Sequence, residues 1–233
     1  MIAILKKELH GYFTSPIGYV FLAIYFFFGG FFFKTMVIGY GITHFGYLFA
    51  SMFTINLFVI PILTMRLMSE DKKQKTDQLL ITAPVTPLGI VMAKYLAAMI
   101  VFALAHLIFV VQALSLLSFG TIEWSVFFTE IFGSLLLGAA FIAIGLFISS
   151  ITESQVVAAV STFAVSMVVM MMDTIDTKDI VWLNKLINWI SFSGRYNDFM
   201  VGIFNYADAV FFLSVAVVFI FLTVRLQEKK RWS

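Results

Sequence analysis

The sequence predicts an all-α integral membrane protein, and three observations support this fold class. Hydrophobic residues make up 61% of the chain and charged residues only 12%, whereas soluble domains contain about 25% charged residues. The mean hydropathy is +1.01. The apolar residues are gathered into stretches of roughly 20 residues or more, which is the length that a helix needs to cross a bilayer.

Six segments are long and apolar enough to be transmembrane helices, and polar or charged residues separate each from the next. The six predicted spans are residues 17–38, 46–65, 90–119, 126–149, 155–172 and 207–226. Helices are expected because each satisfies its own backbone hydrogen bonds within the hydrocarbon layer. Residues 1–233 are therefore predicted to form a single transmembrane domain.

The positively charged residues predict the orientation of these spans, since Lys and Arg are concentrated in cytoplasmic loops. With the N-terminus in the cytoplasm, eleven of the 15 Lys and Arg residues are cytoplasmic. Those left outside are Lys34, Lys178, Lys185 and Arg195. Both termini are then cytoplasmic, residues 66–89 form a cytoplasmic loop, and residues 173–206 form an external segment.

The N-terminal segment, residues 1–16, has the pattern of a helix that lies along the inner membrane surface. Ile2, Leu5 and Leu9 recur at near-helical spacing, with basic residues elsewhere on the turn. Pro16 is expected to mark the bend into the first span.

The external segment is predicted to contain one or two interfacial helices, because apolar residues recur between positions 180 and 190. It continues through Arg195 and Asp198, just before the last span. These two residues are candidates for an external gate or for contact with an extracytoplasmic partner. An interfacial salt bridge is the favoured alternative.

Polar residues and a proline within the spans are candidates for the transport pathway or for helix packing. His106 and Gln112 lie within the third span, where polar groups are often functional. Hydrogen bonding between helices is nevertheless the favoured role for both. Pro61 is expected to kink the second span, and Asn56 is placed to face the resulting cavity.

Small residues recur along the fourth span near one helix face, where they permit close approach of a neighbouring backbone. They are Ser134, Gly138, Gly145 and Ser149. Packing within the chain is favoured over a contact between two chains.

The cytoplasmic loop begins with a charged run that is expected to form a short helix from Ser69, with Glu70 and Asp71 in its first turn. Prolines at positions 84 and 87 end the loop and lead into the third span. One interpretation of this charged run is a solvated loop whose only role is to determine the orientation of the spans in the membrane.

The order of motifs around this loop resembles the permease subunits of ABC-2 type ATP-binding cassette exporters. The matching elements are Arg66, Ser69-Glu70-Asp71-Lys72, Leu79-Leu80, Pro84, Lys94-Tyr95, KKEL at 6–9, SPIGY at 15–19 and SSITESQVVAA at 149–159. The resemblance spans nearly the whole chain and is greatest to gliding-motility-associated and nitrous-oxide-reductase-maturation permeases. The sequence departs from the family at residues 75–78, which read Lys-Thr-Asp-Gln where members often have Gly-Thr-x-Glu.

The resemblance implies a permease that forms half of a translocation pathway, with residues 1–16 as an elbow helix and residues 66–89 as the coupling loop. The implied ATPase-coupling residues are Arg66, Ser69, Glu70, Asp71, Lys72, Lys73, Thr76 and Asp77. The implied partners are an ABC ATPase dimer, a second permease subunit in a homo- or heterodimer, membrane lipids and an extracytoplasmic auxiliary protein. The implied location is the inner or plasma membrane of a bacterium.

No catalytic, metal or cofactor site is predicted in this chain. The sequence has no GxxxxGK[ST] phosphate loop, so ATP and Mg²⁺ are expected on the ATPase. The net charge of +2 and the scattered basic residues disfavour a nucleic-acid partner. Two other functions stay open, an ion-coupled secondary transporter and a membrane scaffold or receptor subunit. The first is disfavoured because the spans contain few ionisable residues.

Overall fold

The computed structural model of the protein describes residues 1–41, 44–76, 85–118, 120–172, 189 and 191–232. Within these ranges the chain is helical and contains no strand, which confirms the predicted all-α class. The helices are α1 (Ile2–Thr14), α2 (Pro16–Phe32), α3 (Gly46–Thr64), α4 (Ser69–Lys73), α5 (Pro87–Leu116), α6 (Trp124–Ile151), α7 (Gln155–Met172), α8 (Phe192–Met200) and α9 (Tyr206–Trp232). A π-helix, Phe33–Ile38, continues α2.

Five of the predicted spans are long and apolar enough to cross a membrane. They correspond to α2 with its π-helical continuation, α3, α5, α6 and α9. The sixth predicted span corresponds to α7, an apolar helix of 18 residues that is shorter than these five. The described residues therefore confirm five spans, and a sixth crossing by α7 stays a prediction.

Helix α6 lies at the centre of the bundle, because 72% of its most apolar window is buried, compared with 22% for α2 and 28% for α9. Its small residues allow this central position. A Cβ at Gly138 would lie 2.1 Å from Cε1 of Phe102, and one at Gly145 would lie 2.2 Å from Oγ1 of Thr64. Packing within the chain, the favoured role for these glycines, is confirmed.

Different helices begin and end at the two ends of the bundle. At the end that we call the loop end, α3 and α6 finish, α4 lies and α5 begins. At the opposite end, α3 and α6 begin beside α8, where a Cβ at Gly46 would lie 2.4 Å from the Met200 carbonyl oxygen. The loop end is the predicted cytoplasmic side.

Local sequence signals begin two of the helices near the loop end. Pro16 is the first residue of α2 and follows Ser15, whose extended backbone separates α2 from α1, so the predicted bend is present. Thr86 caps α5 through its hydroxyl oxygen, which accepts a hydrogen bond from the Gly89 amide at 3.2 Å. Pro87 occupies the first turn of α5, where its missing N–H costs nothing.

Part of the predicted external segment lies outside the described residues. The interfacial pattern between positions 180 and 190 falls almost entirely there, so it stays a prediction. The described remainder forms α8, which ends near Gly202, a residue with φ of +78°. A Cβ at this glycine would lie 2.7 Å from the Val126 side chain, so close packing and backbone conformation both favour glycine.

Candidate functional site

Helix α4 is the short charged helix that the sequence predicts from Ser69. Its acids Glu70 and Asp71 occupy the first turn and its basic residues the last, as the helix dipole favours. A helix of five residues is too short to be stable alone. Contacts with the remainder of the bundle must therefore hold α4 in place.

The N-terminus of α4 is capped by a serine from another helix. The hydroxyl oxygen of Ser149, in the last turn of α6, accepts hydrogen bonds from the Met68 and Ser69 amides at 3.0 and 3.1 Å. The same hydroxyl lies 3.1 Å from the Met65 carbonyl oxygen, to which it donates. The Ser149 side chain thus provides hydrogen-bond partners for backbone groups at the end of α3 and at the start of α4.

A buried ion cluster joins α4 to α1 and α5. The Lys94 ammonium lies 2.7 Å from Oε1 of Glu8 and 2.5 Å from Oδ2 of Asp71, and its side chain is 2% exposed. Asp71 Oδ1 also accepts a hydrogen bond from the Thr76 hydroxyl at 3.0 Å and lies 3.3 Å from the Lys7 ammonium. This cluster joins α1, α4 and α5. Because its charges are buried, separating them would be energetically costly.

Lys72 anchors α4 to the C-terminus of α6. Its buried ammonium donates a hydrogen bond to the carbonyl oxygen of Ser150. A cation is favourable there, because the last carbonyls of a helix have no partners within the helix and carry partial negative charge.

Arg66 joins the end of α3 to the bend between α1 and α2. Its guanidinium donates to the Gly11 carbonyl oxygen at 3.0 Å and to the Ser15 hydroxyl at 2.5 Å, and it lies 2.8 Å from the Glu70 carboxylate. The ring of Tyr12 lies under the guanidinium at 5.3 Å.

Tyr12 holds α1 against the end of α3. Burial, and then the negative charge of Glu8, raises the pKa of Tyr12 well above its usual value. The phenol therefore stays protonated and donates to the Leu63 carbonyl oxygen at 2.7 Å.

These contacts divide the predicted coupling residues into two groups. Ser69, Asp71 and Lys72 are buried, and Arg66, Glu70 and Thr76 are partly buried, so their side chains mainly hold α4 against the bundle. Lys73 is exposed, together with Gln74 and Lys75, which were not predicted as site residues. Asp77, Leu79, Leu80 and Pro84 lie outside the described residues.

Glu8, Lys94 and Ser149 belong to this site and are missing from the predicted site residues. The sequence carried a signal for all three, because each lies within one of the family motifs, and Lys94 is in addition a charged residue within an otherwise apolar helix. The capping role of Ser149 was not indicated by its sequence, since serines in apolar helices commonly bond to their own backbone.

The polar residues of the spans lie inside the bundle. His106 Nδ1 donates to the Phe102 carbonyl oxygen at 2.9 Å, which leaves Nε2 to accept from the Ser134 hydroxyl at 2.9 Å. Tyr25 on α2 lies 3.2 Å from Nε2. This is hydrogen bonding between helices, the role favoured for His106.

Asn56 and Gln112 are buried, and within the described residues neither Asn56 amide atom nor the Gln112 amide oxygen has a hydrogen-bond partner. Pro61 lies inside α3 and is buried, and the helix continues to Thr64. These three residues stay candidates for the transport pathway or for helix packing.

Arg195 forms the expected salt bridge, and its partner is Asp208. The guanidinium lies 2.7 Å from the Asp208 carboxylate, whereas Asp198 accepts a hydrogen bond from the Asn205 amide at 3.2 Å. Asp208 is in the first turn of α9, where the helix dipole also favours an acid. A contact between α8 and α9 therefore determines this pairing.

Comparison with known proteins identifies the family. No curated protein sequence matches the chain. The family model described as ABC-2 family transporter protein matches residues 12–226, which extends from the end of α1 well into α9. Proteins of this family are non-catalytic transmembrane subunits that work with an ABC ATPase. The chain therefore belongs to the ABC-2 family of transporter proteins, as the membrane-embedded permease subunit of an ABC transporter.

Proposed function

We propose that this permease belongs to an exporter and forms half of its translocation pathway, with a second copy or a related permease forming the other half. A separate ATPase dimer binds ATP and Mg²⁺ and contacts α4 at the cytoplasmic surface. Both termini are cytoplasmic, in the inner or plasma membrane of a bacterium. The motif order favours the gliding-motility and nitrous-oxide-reductase-maturation subgroup.

The observation that carries this proposal is the anchoring of α4 to three other helices. Lys94 and Asp71 join it to α1 and α5, while Ser149 and the Ser150 carbonyl oxygen join it to α6. A force applied to α4 is therefore passed to α1, α5 and the central helix α6. Reorientation of packed helices by ATPase closure requires such a connection between the two sites.

The exposed side chains of α4 and the residues after it form the contact surface for the ATPase. Lys73, Gln74 and Lys75 face outward, and Glu70 is 29% exposed beside them. Lys75 adopts a φ of +56°, which ends the helix and turns the chain. The two exposed lysines suit a partner surface with acidic groups.

The test is co-purification followed by an activity measurement. The tagged full chain is purified from its native membranes, and an ATPase containing a phosphate loop is expected among the recovered proteins. Replacing Lys73 and Lys75 together by glutamate is expected to weaken the ATPase association by about tenfold or more, because like charges then face each other. ATPase stimulation by the reconstituted permease should fall in parallel.

The matched control is Lys34→Glu, which reverses an exposed lysine beyond α2. It should leave the ATPase association unchanged. Asp71 is unsuitable for this test, because its replacement would break the buried ion cluster. Normal stimulation by the Lys73→Glu, Lys75→Glu variant would show that α4 does not couple the two proteins.

Reconstitution of the chain alone distinguishes the proposal from an ion-coupled transporter. Liposomes containing only this protein should show no uptake driven by an ion gradient, because the proposal places the energy source in the ATPase. Gradient-driven uptake would favour the ion-coupled class. Binding of an external auxiliary protein is tested in the same native purification.

A further inference from the structure

A cavity of about 420 Å³ lies at the opposite end of the bundle, between the starts of α3 and α6 and the end of α8. Its volume lies within the range of about 300–1,000 Å³ that is typical of small-molecule sites. The cavity is remote from α4, and the proposed coupling function leaves it without a role.

Glu130 lines this cavity and has an unusual environment. The residue is 1% exposed, and neither carboxylate oxygen has a hydrogen-bond partner within the described part of the chain. The residues described around the cavity include no lysine or arginine, and the side chains there that can donate a hydrogen bond are those of His44, Tyr47 and Asn197. Burying a carboxylate without partners is costly, so a group that donates hydrogen bonds from within the cavity would be strongly favoured.

A second carboxylate lies toward the mouth of the same cavity. Glu123 immediately precedes α6, is exposed, and is seven residues before Glu130. Two helical turns separate the residues, so both point toward one face of the helix. A cation that enters the cavity therefore meets Glu123 first and Glu130 in the buried part.

The remaining wall is largely apolar and suits a short carbon chain. Tyr47, Ala50, Val126 and Met200 contribute to it. Gly46 lies beside the carboxylate, since a Cβ there would lie 3.4 Å from Oε1 of Glu130, at van der Waals contact distance.

We propose that this cavity binds a primary ammonium group, with Glu130 as the counter-ion and Glu123 at the entrance. An ammonium group has three N–H donors, which match the unpaired oxygens of Glu130. Charge-assisted hydrogen bonds of this kind are the strong ones. The ligand is either a free amine or the headgroup of an amine-bearing phospholipid such as phosphatidylethanolamine.

The probe is phenylbutylammonium, titrated calorimetrically into the full chain in phosphatidylcholine nanodiscs, with empty nanodiscs as the blank. Phenylbutanol has nearly the same shape without the charge. The ammonium is expected to bind about tenfold more tightly than the alcohol, which is the discrimination that a charge-assisted hydrogen bond supplies. Phenylbutyrate, an anion of similar size, should not bind.

Glu130→Gln is expected to bring the affinities of the ammonium and the alcohol close together. The matched control Glu153→Gln removes an exposed carboxylate beyond the other end of α6 and should preserve the preference. Ala50→Phe keeps Glu130 but fills part of the cavity, so it should weaken both ligands. Equal binding of the two probes to the unaltered protein would overturn the proposal, as would a preference that survives in Glu130→Gln. Unchanged binding in Ala50→Phe would also overturn it, and this variant decides the question if Glu130→Gln fails to fold.

Lipid composition distinguishes the two sources of the ammonium group. If the phospholipid headgroup occupies the cavity, adding phosphatidylethanolamine to the nanodiscs will lower the apparent affinity for phenylbutylammonium in a manner that depends on Glu130. If a free amine is the ligand, the affinity will be the same in both nanodiscs.

Discussion

Replacing Lys94 by methionine tests whether the buried ion cluster holds the loop end together. Its ammonium lies 2.7 Å from Glu8 and 2.5 Å from Asp71, and its side chain is 2% exposed. Methionine is an unbranched side chain of similar length, so Lys94→Met removes the charge with little change in packing. The loss of stability will then report mainly the electrostatic contribution.

The carboxylates of Glu8 and Asp71 lose unequal amounts of stabilisation when the Lys94 charge is removed. Asp71 keeps the Thr76 hydroxyl at 3.0 Å and Lys7 at 3.3 Å, so its charge stays partly compensated. Glu8 is 8% exposed and keeps no other ion pair among the described residues. Leaving one buried charge without its partner costs about 3–5 kcal/mol. We expect Lys94→Met to lower the free energy of unfolding by about 4 kcal/mol, with Glu8 as the larger contributor.

The free energy of unfolding is measured on the purified full chain in mixed micelles, by titration with a denaturing detergent. Adding Glu8→Gln to Lys94→Met should restore part of the loss, because a neutral amide is cheaper to bury than an unpaired carboxylate. Lys73→Met, an exposed lysine on α4, should change stability by no more than about 0.5 kcal/mol. A loss below about 1 kcal/mol for Lys94→Met, or no recovery in the double variant, would refute this account.

Two further predictions use the same unfolding measurement. Gly138→Ala should lower the free energy of unfolding by about 1–3 kcal/mol, because the new Cβ would lie 2.1 Å from the Phe102 ring. In Gly30→Ala the new Cβ meets no heavy atom within 4 Å, so this control should leave stability unchanged or raise it slightly. Equal losses in the two variants would contradict the packing of α6. Arg195→Gln and Asp208→Asn should each cost about 2 kcal/mol, less than for a fully buried pair because the Arg195 side chain is 18% exposed. A neutral effect of Asp208→Asn would show that this ion pair does not hold α8 to α9.

Features that depend on neighbouring residues could be predicted from the sequence. The periodicity of α1, the bend at Pro16 and the start of α4 at Ser69 are all present. Five of the six spans are confirmed because bilayer thickness imposes a length that apolar composition reveals directly. The close packing of Gly138 and Gly145 inside the chain was also predictable, since small residues on one face of a span mark close helix contacts.

Features that depend on distant residues could not be predicted in this way. Lys94 and Glu8 are 86 positions apart, and Ser149 caps a helix that begins 80 positions before it. The charged run of α4 therefore indicated residues available to a partner, whereas Asp71 and Lys72 proved to be buried. Composition shows that a side chain is charged, but its burial depends on which helices pack around it.

The sequence by itself determined the class of the protein, the positions of most spans and the family motifs, because hydropathy, proline and local helix signals act over a few residues. Only the tertiary structure decided which charges of the loop end hold α4 and which face outward. It also placed Glu130 in a cavity formed by three helices. Both outcomes depend on helix packing, which brings together residues that are far apart in the sequence and that no local sequence pattern connects.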